Sequence, residues 1–388
     1  MSALRILADA KDAQITLIDR HPYHFLQTEG YGLVAGTVLF EETLVTLHTF
    51  CSGYGEHVSF LHEIVDDIDF ESKRVICSGG QEVAYDYLII AAGSVTRFMA
   101  SVEGLQKCSH GVKSLRSAFE MKQFFEKELY LRLESMRDSK KVYSVVIGGA
   151  GLSGVEIAAE MQHYFNRYYH SNTLACDTLQ IHLISGGDTI LKGMHPNVIA
   201  KAQKRLLELG VILHKGAHIE KVESDRAILE NGEHILFDFM IFTGGIMAAP
   251  IVSQIPLQHN RMGQVMVGAD LQVPGMEGVF AVGDAAEISD NHGHILPDTA
   301  QVAIKSGIHA AKNIKRMLQG KKTRPANITI KGLAIALGGR YAIVDMGYIR
   351  IYGLVSYFAK KLAEKIYKWP LWMRCRVGYR KSCRLDEG

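Results

Sequence analysis

The sequence lacks several features that define large classes of proteins. Its six cysteines form no CxxC pair and no disulfide framework, which favours a reducing compartment. No run approaches the roughly 18 uninterrupted apolar residues that a membrane-spanning helix needs. Neither sign of charge dominates, since 43 Lys and Arg face 41 Asp and Glu, so the overall charge does not favour nucleic acid. At 388 residues, we expect a globular protein of two or three domains with no spanning helix, metal site or nucleic-acid partner.

A glycine-rich turn is also missing near the start, where the neighbouring residues predict one. The helical stretch MSALRIL leads into an apolar strand at residues 15–18 that stops on Asp19. A strand closing on a carboxylate is typical of a dinucleotide-binding βαβ unit, in which the acid binds ribose hydroxyls. Such a unit opens with a strand and a GxGxxG loop. We expect roughly 10–15 residues to be absent upstream of Met1; the alternative is a degenerate chain that has lost dinucleotide binding here.

A second glycine-rich turn is present in the middle of the chain. Gly149, Gly151 and Gly154 form GAGLSG between an apolar strand and a helix. The glycines permit a tight turn and close approach of a pyrophosphate, and the helix start offers free N–H groups. The acid expected at the end of the next strand is replaced by Ser185, with Asp188 three residues later. NADH is the expected nucleotide, and NADPH stays open.

Local patterns predict further elements around these turns. Strands are expected near residues 58–61 and 74–77, an amphipathic helix near 117–136, and a hairpin turn at Asn231 and Gly232. The stretch YDYLIIAAGS reads as a buried strand with a small-residue turn. Gly283 and Asp284 close the strand GVFAV, where a carboxylate can bind a ribityl hydroxyl; the alternative is an ordinary helix-capping aspartate.

The motifs YDYLIIAAGS, GGAGLSGVEIAAE, TGGIMAAP, GVFAVGDAAE and AQVAIKSGIHAAKNI, in this order, resemble those of flavoproteins with two dinucleotide-binding domains. The chain is most similar to the type II NADH:quinone oxidoreductases. The resemblance implies an α/β fold of two Rossmann-like domains, an FAD domain with an inserted NAD(P)H domain, plus a C-terminal amphipathic helical segment. It implies transfer of hydride from NADH to FAD, then of electrons to a membrane quinone, without proton pumping.

The resemblance also assigns cofactor-binding residues. Asp19 would hold the FAD adenosine ribose, Gly93 would line the flavin's turn, and Gly283 with Asp284 would hold the ribityl and pyrophosphate portion. The three glycines of GAGLSG would cradle the NADH pyrophosphate. Ala300 begins a helix whose positive end would point at the flavin pyrimidine.

Three residues are implied to be catalytic. Glu156 matches a family carboxylate proposed to assist proton transfer, although a helix-start glutamate that merely favours the dipole is an equal alternative. Gln301 and Lys305 would complete the site. Lys305 and Ser306 stand where the family often has two glutamines, so the quinone pocket is expected to differ.

Two alternative functions remain at this point. A sulfide:quinone oxidoreductase-like enzyme would need a cysteine after the second glycine loop and another after the GD motif, and neither position has one. Cys176 lies in a polar segment and is interpreted as an ordinary surface or core thiol without a catalytic role. A flavin-free, non-catalytic homologue is the other alternative, because the first glycine loop is missing.

The expected domain boundaries place the FAD domain at 1–112 and 262–335, the NAD(P)H domain at 113–261, and a membrane-association segment at 336–388. In the last segment, apolar residues recur at helical spacing: Ile351, Leu354, Val355, Phe358, Leu362, Ile366 and Trp369. The other side carries Lys360, Lys361, Glu364, Lys365 and Lys368, and more basic residues follow: Arg374, Arg376, Arg380, Lys381 and Arg384.

This pattern predicts a helix that ends at Pro370 and lies on an anionic membrane surface. The expected location is therefore peripheral, on the cytoplasmic face of the cell membrane. A helix docked on the protein body, or in a homodimer interface, is the alternative.

Overall fold

The computed structural model describes residues 1–134, 142–170 and 179–385. Its α-helices are α1 Ser2–Leu7, α2 Gln27–Val34, α3 Leu47–Ser52, α4 Leu105–Cys108, α5 Leu115–Glu134, α6 Leu152–His170, α7 Pro196–Leu209, α8 Pro250–Gln254, α9 Ala300–Leu318 and α10 Leu354–Leu385. Two short 3₁₀ helices span Phe40–Thr43 and Gly283–Ala285.

The strands of the first half are β1 Ile15–Asp19, β2 Tyr23–Phe25, β3 Leu44–Thr46, β4 Val58–His62, β5 Val65–Asp69, β6 Arg74–Cys77, β7 Glu82–Ala84, β8 Leu88–Ile90, β9 Ser94–Thr96, β10 His110–Gly111, β11 Tyr143–Gly148 and β12 Leu179–Ser185. Those of the second half are β13 Ile212–Lys215, β14 Ile219–Val222, β15 Arg226–Leu229, β16 His234–Leu236, β17 Phe239–Phe242, β18 Ile246–Ala248, β19 Val265–Met266, β20 Val279–Ala281, β21 Ala286–Glu287, β22 Leu333–Ala336, β23 Ala342–Asp345 and β24 Arg350–Gly353.

A five-stranded parallel sheet forms the centre of the nucleotide-binding half. Its strand order is β10-β17-β11-β12-β13. Every residue of β11 is buried, as expected for a parallel strand covered on both faces. One large apolar cluster joins this sheet to α5, α6 and α7. The sheet thereby places the turn between β11 and α6 at the carboxyl ends of its strands, where dinucleotides bind in such folds.

The other half contains three parallel strand pairs among the described residues. β1 pairs with β4, β8 pairs with β20 and β19 pairs with β21, and within the described residues no strand joins these pairs. Helix α9 packs across α1, where Gly307 approaches the backbone of Ala3. A second apolar cluster, centred on Phe280 and Val265, fills this half. The predicted strands near 58–61 and 74–77 are confirmed as β4 and β6.

Smaller antiparallel units surround these two cores. The turn between β15 and β16 contains Gly232 with a φ of +82°, so the hairpin predicted from Asn231 and Gly232 is confirmed. The predicted amphipathic helix is α5, which the structure describes as far as Glu134. Near the end of the chain, β22, β23 and β24 form an antiparallel sheet that leads directly into α10.

The prediction that the last helix stops at Pro370 is wrong, because α10 continues through it to residue 385. Proline removes one helical hydrogen bond and crowds the preceding turn. Here the second half of α10 packs against α3, which fully buries Leu371, and Arg374 donates a hydrogen bond to the Gly53 carbonyl at 3.1 Å. These tertiary contacts offset the loss at the proline. Within the described residues, no helix is long and apolar enough to cross a membrane.

Candidate functional site

The glycine turn between β11 and α6 has the shape of a phosphate cradle. Gly149 has a φ of +112°, which favours glycine. A Cβ at Gly154 would stand 1.8 Å from the Gly149 carbonyl oxygen, so only glycine fits where helix meets turn. A Cβ at Gly151 would meet no atom within 4 Å, which leaves open space above the first turn of α6. Thr243 closes the turn from β17 by donating to the Gly149 carbonyl at 2.8 Å.

The end of β12 lacks the ribose-binding acid, as the sequence shows. The Ser185 hydroxyl is buried and donates to the carbonyls of Gly187 and Thr189, at 3.0 and 2.9 Å. Asp188 is exposed in the following loop, and Lys215 pairs with Ser185 on the adjacent strand. The acidic Asp188 and the basic Lys215 thus both lie near the end of β12. The preference for NADH over NADPH stays a prediction.

Glu156 lies in α6 just beyond the glycine turn and is buried. Its Oε1 accepts a hydrogen bond from the backbone N–H of Ala336 at 2.7 Å and lies 3.6 Å from the Lys360 ammonium. Burial raises the pKa of Glu156, while Lys360 and the Ala336 N–H act in the opposite direction. One turn further on, burial and the charge of Glu156 raise the pKa of Glu160 to about 7. Glu156 is therefore more than a solvent-facing acid at a helix start, although its catalytic role stays a prediction.

A tyrosine that the motifs did not identify closes the same region. The hydroxyl of Tyr31, on α2, shares a hydrogen bond of 2.6 Å with the hydroxyl of Ser153, which belongs to GAGLSG. Burial raises the pKa of Tyr31 to about 12, so the phenol stays protonated. Nothing local marks Tyr31 in the sequence, since its partner is 122 positions away.

Three lysines of α10, Lys360, Lys361 and Lys368, pair with acids of the protein body or of the helix itself, whereas Lys365 is exposed. Lys360 lies 2.7 Å from Glu364, and Lys368 lies 2.7 Å from the buried Glu29 of α2. Lys361 lies 3.1 Å from Glu364. Burial lowers the pKa of Lys360, but Glu156 and Glu364 outweigh it and hold that pKa above its ordinary range. These lysines neutralise buried acids, whereas the sequence pattern predicted that the lysine side lies at an anionic membrane surface.

The apolar side of α10 is exposed. Six of the seven predicted stripe residues lie on the helix with exposed side chains: Leu354, Val355, Phe358, Leu362, Ile366 and Trp369. Ile351 was wrongly placed on the helix, because it belongs to β24 and is half-buried. The hairpin between β23 and β24 adds exposed Met346, Tyr348 and Ile349. Exposed apolar side chains thus lie both on this hairpin and along α10.

The GD motif holds its aspartate at the junction of the two halves. Asp284 Oδ2 accepts a hydrogen bond from Ser94 at 2.6 Å and from the Lys113 ammonium at 3.1 Å. Gly283 has a φ of +62°, and its N–H donates to Ser306 of α9 at 3.1 Å. Ser94 and Lys113 were not identified from the sequence, because each is remote from Asp284 along the chain. The carboxylate is ion-paired, unlike a simple capping aspartate.

Gly93 lies in the turn after β8, and Asp19 is the last residue of β1, while their cofactor-binding roles stay predictions. Gly93 has a φ of +72°, and a Cβ there would meet no atom within 4 Å. Its carbonyl accepts a hydrogen bond from Ala249 at 3.0 Å. Asp19 ends β1, and its Oδ1 accepts the N–H of His21 at 2.8 Å. Burial raises the pKa of Asp19, while the His21 N–H acts in the opposite direction.

Ala300 begins α9, as predicted, and the first turns of this helix pack against the GD turn. The Gln301 amide donates to the Gly332 carbonyl at 2.6 Å, and Lys305 donates to the Thr329 carbonyl. Both side chains therefore contact the segment before β22. Neither hydrogen-bonds Glu156 in the part of the chain that the structure describes, and their catalytic roles stay predictions.

Cys51, Cys77 and Cys375 show no sign of an activated thiol. Burial raises the pKa of Cys51 to about 12 and raises that of Cys77 and Cys375. A nucleophilic thiolate requires the opposite shift. Cys176 lies outside the described residues. The sulfide alternative therefore has no support from these thiols.

Comparisons with known proteins agree with this geometry. The family model described as "Pyridine nucleotide-disulphide oxidoreductase" matches residues 1–307. Demethylphylloquinone reductase NdbB of Synechocystis sp. is 29% identical over 325 residues, covering 81% of this chain and 75% of the relative. The type II NADH:quinone oxidoreductase of Staphylococcus epidermidis is 25% identical over 367 residues, covering 93% and 90%.

Solved structures share the fold at lower identity. NDH2 from Plasmodium falciparum, solved in complex with NADH, superposes with a TM-score of 0.84 at 18% identity, covering 98% of this chain and 95% of that one. The sulfide:quinone oxidoreductase of Aquifex aeolicus gives a TM-score of 0.78 at 18% identity, covering 96% and 89%. These similarities establish the two-domain flavoprotein fold with its C-terminal helix.

Proposed function

Because the chain belongs to the pyridine nucleotide-disulphide oxidoreductase family, we propose that it is a type II NADH:quinone oxidoreductase, which takes hydride from NADH onto FAD and passes electrons to a quinone. Relatives named for quinone reduction cover most of the chain. The observation that carries the proposal is the position of Glu156. It lies just past the dinucleotide cradle and contacts Lys360 of the C-terminal helix. One buried carboxylate therefore connects the proposed NADH site with the proposed membrane-facing helix.

The residues present fit FAD and NADH. The glycine turn leaves open space at Gly151 beside the start of α6, which suits a pyrophosphate. Ser94 and Lys113 bind one carboxylate oxygen of Asp284, and among the described residues no hydrogen bond reaches the other oxygen, which would take a ribityl hydroxyl. Gly93 presents backbone without obstruction. Asp19, at the end of β1, would take the adenosine ribose of FAD.

Bound FAD supplies the hydride and electron chemistry. The chain's own groups orient the nucleotides and move protons. The start of α9 directs its N–H groups and positive dipole toward the flavin site, which stabilises developing negative charge. Glu156 is placed to hold or release a proton at its carboxylate. Lys360, on the C-terminal helix, lowers the pKa of that carboxylate through its positive charge. Gln301 and Lys305 hold the segment before β22 in place beside α9.

The proposed domain division follows the sequence: FAD domain at 1–112 and 262–335, NAD(P)H domain at 113–261, and membrane-association segment at 336–388. The exposed apolar face of α10 and the β23–β24 hairpin support contact with a quinone-containing anionic membrane. We place the protein peripherally on the cytoplasmic face. A homodimer formed through the same face is the alternative outcome of the membrane test below.

The function is tested on the purified protein with FAD. The protein is expected to be yellow, to bleach anaerobically with NADH, and to regain its colour when a quinone is added. Sulfide serves as the comparison reductant. Protein that stays colourless and does not reconstitute with FAD would contradict the proposal and favour the flavin-free alternative. Bleaching by sulfide but not by NADH would favour the sulfide:quinone alternative.

A further inference from the structure

A tyrosine of the proposed FAD domain hydrogen-bonds the glycine turn of the nucleotide-binding half. Tyr31 lies on α2, and its phenol oxygen lies 2.6 Å from the hydroxyl oxygen of Ser153. Ser153 is the second residue of α6 and belongs to GAGLSG. One hydrogen bond therefore joins the two proposed cofactor domains at the first turn of α6, close to the open space at Gly151.

The backbone around Tyr31 is held in place by close packing and by an ion pair. Gly30 and Gly32 flank the tyrosine, and a Cβ at these positions would lie 2.7 and 2.5 Å from a neighbouring side chain. Glycine weakens a helix interior, so α2 loses helix propensity in exchange for this close approach. The buried Glu29 of the same helix lies 2.7 Å from the Lys368 ammonium. The fold therefore sets the position of the phenol.

Charges from both proposed cofactor sites act on this phenol. Burial raises the pKa of Tyr31 to about 12, and the negative charges of Glu156 and Asp284 act in the same direction. Glu156 follows the glycine turn, whereas Asp284 belongs to the GD motif. The phenol therefore keeps its proton at the pH of the reaction and is a neutral hydrogen-bonding group.

The pair of hydroxyls retains one unused O–H. Each hydroxyl carries a single hydrogen, and one of the two hydrogens forms the bond between Tyr31 and Ser153. Within the described residues, neither hydroxyl makes another hydrogen bond. An unused O–H beside the N–H groups of a helix start suits an anionic oxygen. The diphosphate of NADH supplies such oxygens.

We propose that Tyr31 is a positioning residue for NADH, a role that rests on the proposed function. Its phenol orients the Ser153 hydroxyl, and the O–H that the pair retains binds an anionic oxygen of the NADH diphosphate. Because α2 belongs to the proposed FAD domain, this contact sets the position of the nucleotide relative to the flavin site.

The test compares two fragments of NADH on the FAD-loaded protein by titration calorimetry. ADP-ribose carries the diphosphate, and adenosine does not. Tyr31→Phe keeps the ring and removes the hydroxyl, so the dissociation constant of ADP-ribose is expected to rise about tenfold, the size of one hydrogen bond to a charged group. The constant for adenosine should stay the same. In turnover, the KM for NADH should rise while kcat changes little.

A double-mutant cycle tests whether Tyr31 acts through Ser153. Ser153→Ala is expected to weaken ADP-ribose binding to a similar degree, and Tyr31→Phe should then cost little more in that background. Tyr85→Phe is the matched control, because the buried Tyr85 hydroxyl has no hydrogen-bond partner among the described residues. It should leave both dissociation constants unchanged.

Three results would overturn the proposal. The first is an unchanged ADP-ribose constant in folded Tyr31→Phe, and the second is full additivity with Ser153→Ala. The third is an equal loss of ADP-ribose and adenosine binding, since that indicates a general disturbance of the domain. If Tyr31→Phe does not fold, Ser153→Ala with the two fragments decides by the same criteria. Wild-type protein that binds FAD but is not bleached by NADH would instead overturn the proposed function.

Discussion

The carboxylate of Glu156 lies 3.6 Å from the ammonium of Lys360, so the C-terminal helix reaches the first turns after the dinucleotide cradle. Glu156 also accepts the N–H of Ala336, 180 positions along the chain, at the end of β22. Two parts of the C-terminal segment therefore hold one buried acid. This arrangement predicts that changes on α10 alter proton transfer at the site, besides any effect on membrane contact.

Replacing Lys360 by Met is expected to move the pH dependence of turnover upward. Burial raises the pKa of Glu156 and Lys360 lowers it, so losing the lysine raises that pKa further. The limb of the pH profile that reports ionised Glu156 then shifts to higher pH. Lys365→Met, on the exposed side of the same helix, is the control and should leave the limb in place. The measurement is NADH:quinone turnover against pH.

Replacing Glu156 by Gln is expected to slow turnover by roughly 10²-fold, a typical contribution of one acid–base group. The same pH limb should disappear, while FAD remains bound and bleaches with NADH. Unchanged turnover at every pH would remove Glu156 from the mechanism and leave it a structural partner of Lys360.

Two glycine substitutions should separate nucleotide binding from stability. Gly151→Ala meets no protein atom within 4 Å, so it should fold normally but raise the KM for NADH by obstructing the pyrophosphate. Gly154→Ala would stand 1.8 Å from the Gly149 carbonyl, so it should destabilise the fold by about 1–3 kcal/mol. Thermal unfolding and NADH kinetics on both variants check this. Equal effects of the two on unfolding would contradict the cradle geometry.

Glu160→Gln is expected to stabilise the protein in alkaline solution. Burial raises the pKa of Glu160 from 4.5 to about 7 in the folded state, so its contribution to stability is fully present below about pH 4.5 and is lost as the pH rises through 7. The neutral amide avoids that loss. At pH 8 the variant should therefore unfold at higher temperature than wild type, and near pH 4.5 at the same temperature. The exposed Glu230→Gln serves as control, and a gain independent of pH would refute the assignment.

Polar substitutions on the outer face of α10 should release the protein from membranes. A Leu362→Ser, Ile366→Ser variant loses two exposed apolar side chains without touching the lysines that bind buried acids. Sedimentation with anionic liposomes is expected to fall strongly, while NADH bleaching of the flavin is retained. Leu236→Ser, an exposed apolar position on β16, is the matched control. Unchanged sedimentation with loss of a dimer would show that this face is a homodimer interface.

Short-range signals determined much of this molecule directly. The glycine turn at residues 149–154, the hairpin at Asn231 and Gly232, and the GD turn are encoded by residues that contact their own neighbours. Backbone conformations such as the φ of +112° at Gly149 are accessible mainly to glycine, so the sequence alone predicts them. The order of these turns and strands along the chain was also enough to predict the two-domain flavoprotein fold.

Only the tertiary structure decided which distant residues meet at the site. Lys113 and Asp284 are 171 positions apart, and nothing local in either motif specifies the pair. The lysine side of α10 was predicted to lie at an anionic membrane surface, because periodicity shows which residues share a side of a helix but not what that side contacts. Pro370 predicts a helix end because a proline removes a helical hydrogen bond, and that loss is visible in the sequence. The packing of Leu371 against α3, which offsets the loss, is not visible there.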